Sequence, residues 1–182
     1  MKFKLLTTLL LPLALSACSN TYPDASVAQF EDMVTIEQTW QGKELTGPEI
    51  TLAPEAGSTQ ALFKASVSLY GTESSNAKHQ IDTRLNITVK HTDFGEEYAF
   101  VILNDQAAAS VTVERATFRT CSELCVFDQM FSVALSDAVA AEGAKSGLVI
   151  KLQQSAESQQ GAVVILPAEY VQGYLQARAL VS

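Results

Sequence analysis

The chain has 182 residues, 47% hydrophobic and 18% charged, with 12 basic against 20 acidic side chains and a formal net charge of −8. That length and apolar content suit one domain with a sizeable core. The acidic balance, without any basic run to offset it, excludes electrostatic binding to nucleic acid or to anionic headgroups.

Residues 1–17 have the three-part layout of a secretory signal. Lys2 and Lys4 supply a short positive n-region, Leu5 to Leu15 an apolar h-region, and Leu15-Ser16-Ala17-Cys18 closes it. The apolar run is too short to span a bilayer as a helix. Leu-Ser-Ala-Cys resembles the bacterial lipobox. That resemblance implies a signal peptide over 1–17, diacylation of Cys18, cleavage before it, and acylation (palmitate or a similar chain) of the new amino terminus. Several acyl chains on one residue bury many methylenes, at roughly 0.8 kcal/mol each, so such an anchor is effectively permanent. Without the leader, 165 residues remain, carrying 10 basic and 20 acidic groups. Attachment to a membrane would then come from lipid and not from charge. Ser19, instead of Asp, follows the lipidated position. In a Gram-negative source this implies the periplasmic face of the outer membrane.

Residues 18–30 read as the lipidated cysteine and a flexible tether, because Ser19 to about Gln29 is polar and contains Pro23. Residues 31–182 then form a single domain whose dominant period is two. Val34, Ile36 and Trp40 share one face of a first strand, and Ile50 and Leu52 form a short edge strand between Pro48 and Pro54. Phe63, Ala65, Val67 and Leu69 alternate with polar residues, as do Ile81, Thr83, Leu85, Ile87 and Val89. Both are half-buried strands, joined by a turn-rich linker from Gly71 to about His79.

Tyr98 to Leu103 is almost continuously apolar and reads as a central strand covered on both faces. Val111 and Val113 change phase to Ala116 and Phe118, which predicts a β-bulge near Glu114-Arg115. Phe127, Phe131, Val133 and Leu135 mark the next strand, and Leu148, Ile150 and Leu152 pair with Val163 and Ile165 across a polar loop. After Pro167, the spacing of Tyr170, Val171, Tyr174, Leu175 and Arg178 is helical. Eight or nine strands and one C-terminal helix make the fold class mostly β, an antiparallel β-sandwich or an open barrel.

Chemistry-bearing residues are few. Cys121 and Cys125 lie between two strands, flanking Ser122-Glu123-Leu124, so a hairpin there would bring them within disulfide reach. A loop that small gains little from cross-linking, on the order of 2 kcal/mol, and a tight exposed bridge is readily reduced. Phe118-Arg119-Thr120-Cys121-Ser122-Glu123-Leu124-Cys125, with Val111-Thr112-Val113 before it and Phe131-Ser132-Val133-Ala134-Leu135 after it, resembles the cysteine hairpin of the periplasmic amino-terminal domain of DsbD-type thiol:disulfide reductases. The resemblance implies an immunoglobulin-like sandwich and a redox role for Cys121 and Cys125. Val126 stands where that family carries proline, and Glu123 would raise a neighbouring thiol's pKa. The same spacing occurs in Sco-type copper chaperones, but the downstream histidine and βαβ pattern of those proteins are missing here, so copper is not expected.

His79 and His91 flank one strand and read as solvated strand-end residues. Asp93, Glu96 and Glu97 read as a charged turn without calcium-loop spacing. Trp40, Tyr70 and Phe94 read as core or strand-edge aromatics. No catalytic, metal or cofactor assignment follows from these residues. The expected function is that of a non-enzymatic envelope lipoprotein that contacts the membrane through Cys18 and acts on a protein partner. A thiol–disulfide exchange module is the first alternative, and a small-molecule or lipid-binding sandwich the second.

Overall fold

The structure is a computed structural model that describes residues 24–53, 62–73, 80–91, 98–107, 111–121, 125–158 and 161–182. The leader, Cys18, His79, Asp93, Phe94, Glu96 and Glu97 lie outside the described residues. In chain order the elements are α1 (Val27–Asp32), β1 (Thr35–Thr39), β2 (Gly42–Thr46), β3 (Ile50–Leu52), β4 (Leu62–Glu73), β5 (Ile81–His91), β6 (Phe100–Leu103), β7 (Gln106–Ala107), β8 (Val111–Cys121), β9 (Cys125–Leu135), α2 (Asp137–Ser146), β10 (Leu148–Gln153), β11 (Gly161–Leu166) and α3 (Ala168–Ala179).

The protein is mostly β, in two antiparallel sheets with a C-terminal helix. Seven strands form the larger sheet in the order β1-β2-β4-β5-β9-β8, with β3 on the same edge of β4 as β2; four form the smaller, β11-β10-β6-β7. The sheets face a common core and do not close into a barrel. Alternation dictates which side of each strand enters that core. Ala65, Val67 and Leu69 of β4 and Ile81, Leu85, Ile87 and Val89 of β5 are buried, facing Val101, Leu103, Leu148, Ile150 and Leu152 of the smaller sheet. The expected bulge is present: β8 shifts register against β9 between Glu114 and Thr117. Ile50 and Leu52 do form a three-residue strand on the edge of β4.

One polar side chain enters the apolar face of β9. Gln129, 1% exposed, donates from Nε2 to the Tyr98 carbonyl (2.7 Å) and accepts the Tyr98 N–H at Oε1 (3.0 Å). Its amide imitates a neighbouring strand and ties the chain entering β6 to the larger sheet, so this buried polar group stabilises instead of costing free energy.

Several expectations are corrected. The presumed tether is folded from Ser26 onward: Ser26 and Gln29 form a reciprocal capping box, and Phe30, 1% exposed, packs edge-on against Tyr170 with ring centroids 5.1 Å apart. Strand β4 runs on to Glu73, so Gly71 and Thr72 pair with Thr83 and Asp82 and do not belong to a linker. The Tyr98–Leu103 run gives a four-residue strand covered on one face only, with Phe100 43% exposed. Leu148, Ile150 and Leu152 face Leu166, Val164 and Ala162, which turns Val163 and Ile165 outward. Eleven strands and three helices are present among the described residues, against eight or nine strands and one helix expected.

Helix α3 is the keystone of the fold. Pro167 stands at its N-cap, and Tyr170, Val171, Gly173, Tyr174 and Ala177 are buried against α1, α2 and the larger sheet. The Tyr170 hydroxyl donates to the Pro48 carbonyl (2.7 Å) and accepts the Leu69 N–H (3.0 Å), pinning the β2–β3 link to β4. Two glycines let the surfaces meet. A Cβ on Gly71 would overlap the Tyr174 hydroxyl and Ile81 Cγ2; one on Gly173 would lie 2.7 Å from Phe30 Cβ and from the Val27 carbonyl.

Candidate functional site

Three places in the fold could carry function. The first is the β8–β9 hairpin, where the backbone register pairs Cys121 with Cys125 directly across the antiparallel ladder. Facing residues of such a ladder have Cα atoms about 4.5–5.5 Å apart, inside the range a disulfide spans. The sequence predicts both cysteines at the mouth of a hairpin, and the backbone register puts them opposite each other there.

The second is the outer face of the smaller sheet. Because Leu148, Ile150, Leu152, Val101 and Leu103 point into the core, their neighbours point out: Phe100 and Ile102 from β6, Val149 and Lys151 from β10, Val163 and Ile165 from β11. Val149 lies opposite Ile165, and Lys151 lies between Ile102 and Val163. Phe100, Val149 and Ile165 are 43%, 36% and 40% exposed. A sheet face this apolar in contact with water is unusual for a strand pair whose other side already fills a core. The sequence signal was the apolar character of both phases of Leu148–Lys151 and Val163–Leu166, which the expectation of a simple inward alternation overlooked.

The third is the β1–β2 hairpin. Its turn carries Trp40, the chain's single tryptophan, 91% exposed and therefore not a core residue. Gly42 follows with φ +126°, a backbone that L side chains rarely adopt. Behind the turn is a polar cleft of about 370 Å³, lined by Thr39, Gln41, Lys43, Glu44, Thr72, Glu73 and Asp82. The Lys43 N–H is bonded to Glu73 Oε2 (3.1 Å), and the Lys43 ammonium donates to the Val181 carbonyl (2.6 Å). On the same sheet, partial burial and then a hydrogen bond to the Glu44 carboxylate hold the Tyr70 hydroxyl above the usual tyrosine pKa. Tyr70 is thus half-buried and partnered.

Elsewhere the polar groups serve structure. On the outer face of β5 and β9, Arg84 donates to Ser132 Oγ (2.8 Å) and to its carbonyl (3.1 Å), and Ser132 Oγ donates to Asn86 Oδ1 (2.9 Å). His91 ends β5, in register with Phe127 of β9. Among the described residues no three His, Cys, Asp or Glu side chains gather as metal ligands, and no helix is long and apolar enough to cross a membrane. No protein-family model, curated protein or solved structure matches the chain.

Proposed function

We propose that this chain is a lipid-anchored, non-enzymatic binding protein of the cell envelope. Acyl chains on Cys18 hold it at the periplasmic face of the outer membrane, and it acts as an accessory subunit by contact with another protein. The observation that carries this reading is the outer face of the smaller sheet, where Phe100, Val149 and Ile165 surround Lys151 with apolar surface. Water contact with such a surface is costly at roughly 25 cal/mol per Å², and a partner with a matching apolar patch removes that cost. The lipobox-like Leu15-Ser16-Ala17-Cys18 supports the anchor.

Site-specific photocrosslinking in intact cells tests the binding face. A photoreactive residue at position 149 or 165 should give one discrete adduct, absent when the probe is at position 68 on the outer face of the larger sheet and lost in Ile165→Glu. Equal labelling at all three positions overturns the reading. Labelling with a palmitate analogue, lost in Cys18→Ala, tests the anchor separately.

A second reading draws support from the register of Cys121 opposite Cys125. It makes the hairpin a thiol–disulfide exchange module in place of a structural staple. Thiol trapping across a redox buffer series decides between them: a potential below about −300 mV marks a staple, whereas about −120 to −230 mV with fast exchange marks a redox module.

A further inference from the structure

The two most exposed large apolar side chains among the described residues are Trp40, 91% exposed at the β1–β2 turn, and Leu180, 74% exposed just past α3. They belong to one end of the molecule. Lys43, three residues after Trp40, donates its ammonium to the carbonyl of Val181, the neighbour of Leu180. The chain also enters the fold toward this end. Phe30 packs edge-on against Tyr170, while the Val27 carbonyl abuts Gly173 about one turn further along, so α1 runs antiparallel to α3. After α1 the chain turns back to Thr35, which pairs with Thr46 at the end of the β1–β2 hairpin opposite Trp40. Ser26 and Asp24 therefore lie on the side of Val181.

We infer that Trp40 and Leu180 form a membrane-facing rim that seats this end of the domain in the headgroup layer of the bilayer holding Cys18. The inference deepens the proposed anchoring and rests on it. Six residue steps separate Cys18 from Asp24. Fully extended, these span only about 20 Å. An acylated Cys18 thus keeps the bilayer within reach of this end, and not of an arbitrary face. Tryptophan has an apolar body with one N–H donor, which suits it to the wet–apolar boundary of a membrane, and a leucine at the same end adds buried area. The acyl chains already supply the affinity, so what the rim adds is orientation: the domain stands on Trp40 and Leu180.

Charge limits the depth and the lipid. Glu37 on β1 and the cleft carboxylates Glu44, Glu73 and Asp82 lie behind the turn. They remain in water and are repelled by anionic headgroups, so the rim belongs on a zwitterionic surface.

Because Trp40 is the single tryptophan, its fluorescence reports the contact directly. The full lipidated chain is reconstituted into phosphatidylethanolamine–phosphatidylcholine vesicles, with mass spectrometry of Cys18 on the same sample. The expected result is a blue-shifted emission, several-fold stronger quenching by a doxyl-labelled lipid than by aqueous iodide, and loss of most of that lipid quenching in Leu180→Asp. Substituting phosphatidylglycerol for part of the lipid should weaken the quenching. Acylated Cys18 with Trp40 open to iodide overturns the rim and leaves the anchor standing. Trp40 shielded from both quenchers means that a protein or a second copy covers it, which also overturns the rim. A Cys18 without acyl chains overturns the anchor, and the rim with it.

Discussion

The seam under α3 and the outer face of the smaller sheet are both built from large apolar side chains, yet they are finished differently. At the seam each large group meets a shaped receiver. Tyr170 finds a carbonyl and an N–H for its hydroxyl, the bare backbone of Gly71 makes room for Tyr174, and Gly173 admits α1. On the sheet face, Val149 and Ile165 oppose one another and stay partly exposed among the described residues. Apolar surface that is matched in shape and polarity within the molecule stabilises the fold; the same residue types left flat and wet are available to something else.

The sharpest way to break this contrast is to damage the seam. Tyr174→Ala removes a 1%-exposed ring and should cost about 3–5 kcal/mol, as deletion of a buried aromatic typically does. Gly71→Ala overfills the same spot and should cost about 1–3 kcal/mol. Since the added methyl meets the Tyr174 hydroxyl and Ile81, Tyr174→Phe should recover part of that loss. Urea denaturation of the two single variants and the double variant gives the coupling, and strict additivity would show that the notch is not what receives the hydroxyl. Tyr170→Phe should cost about 1–3 kcal/mol, because it strands the buried Leu69 N–H.

Alkaline pH probes the same seam. Burial pushes the Tyr174 hydroxyl up to about 12 from the ordinary 10.0, with the Thr83 hydroxyl and the Arg178 charge opposing the rise. Burial also raises Tyr170, opposed by the hydrogen bond from the Leu69 backbone. A tyrosine with a raised folded pKa keeps its proton in the folded state while the unfolded chain has already lost it. Stability is therefore complete below about pH 10 and declines as the pH climbs toward 12. Relative to Tyr174→Phe, whose midpoint lacks this titration, the wild-type urea midpoint should fall as the pH passes 10. A constant difference across that range would contradict the assignment.

Much of this organisation was legible in the chain, for identifiable reasons. Strands β4 and β5 alternate cleanly because only one of their faces is buried, and the bulge in β8 shows as a phase slip between Val113 and Ala116. Pro48 and Pro54 bracket β3 because missing donors are tolerated at an edge. What escaped has physical causes too. Strand β11 places small Ala162 inward and Ile165 outward, so hydrophobicity alone pointed to the wrong phase. Helix α1 is signalled by Ser26 and Gln29, three residues apart, in a polar stretch too short for periodicity to show. Helix α2 is capped by Ser136 and buries only Ala140 and Gly143, so its pattern lacks a broad apolar stripe. Trp40 reads as core because its spacing puts it on an alternating strand face, whereas it stands in the turn beyond the strand.

Smaller effects sharpen the contrast from the other side. Arg178 Nη1 binds both Thr83 Oγ1 (3.2 Å) and Asp137 Oδ1 (2.8 Å), joining α3 to β5 and to the start of α2. Asp137 is 76% exposed, so Asp137→Ala should cost less than about 1 kcal/mol, and added salt should shrink the difference.

Ile165→Lys should change stability least of all, within about 0.5 kcal/mol, because its side chain is 40% exposed on the outer face opposite Val149. The same substitution puts a second cation close to Lys151 at the centre of the apolar face, so it should abolish the photocrosslinked adduct expected at position 149. The two readouts separate folding from binding. Tyr174→Ala, Gly71→Ala and Tyr170→Phe should lower the urea midpoint, whereas Ile165→Lys should leave the midpoint in place and remove the partner. If Ile165→Lys lowers the midpoint by as much as Tyr170→Phe, that face is an extension of the core, and the contrast between the two regions collapses.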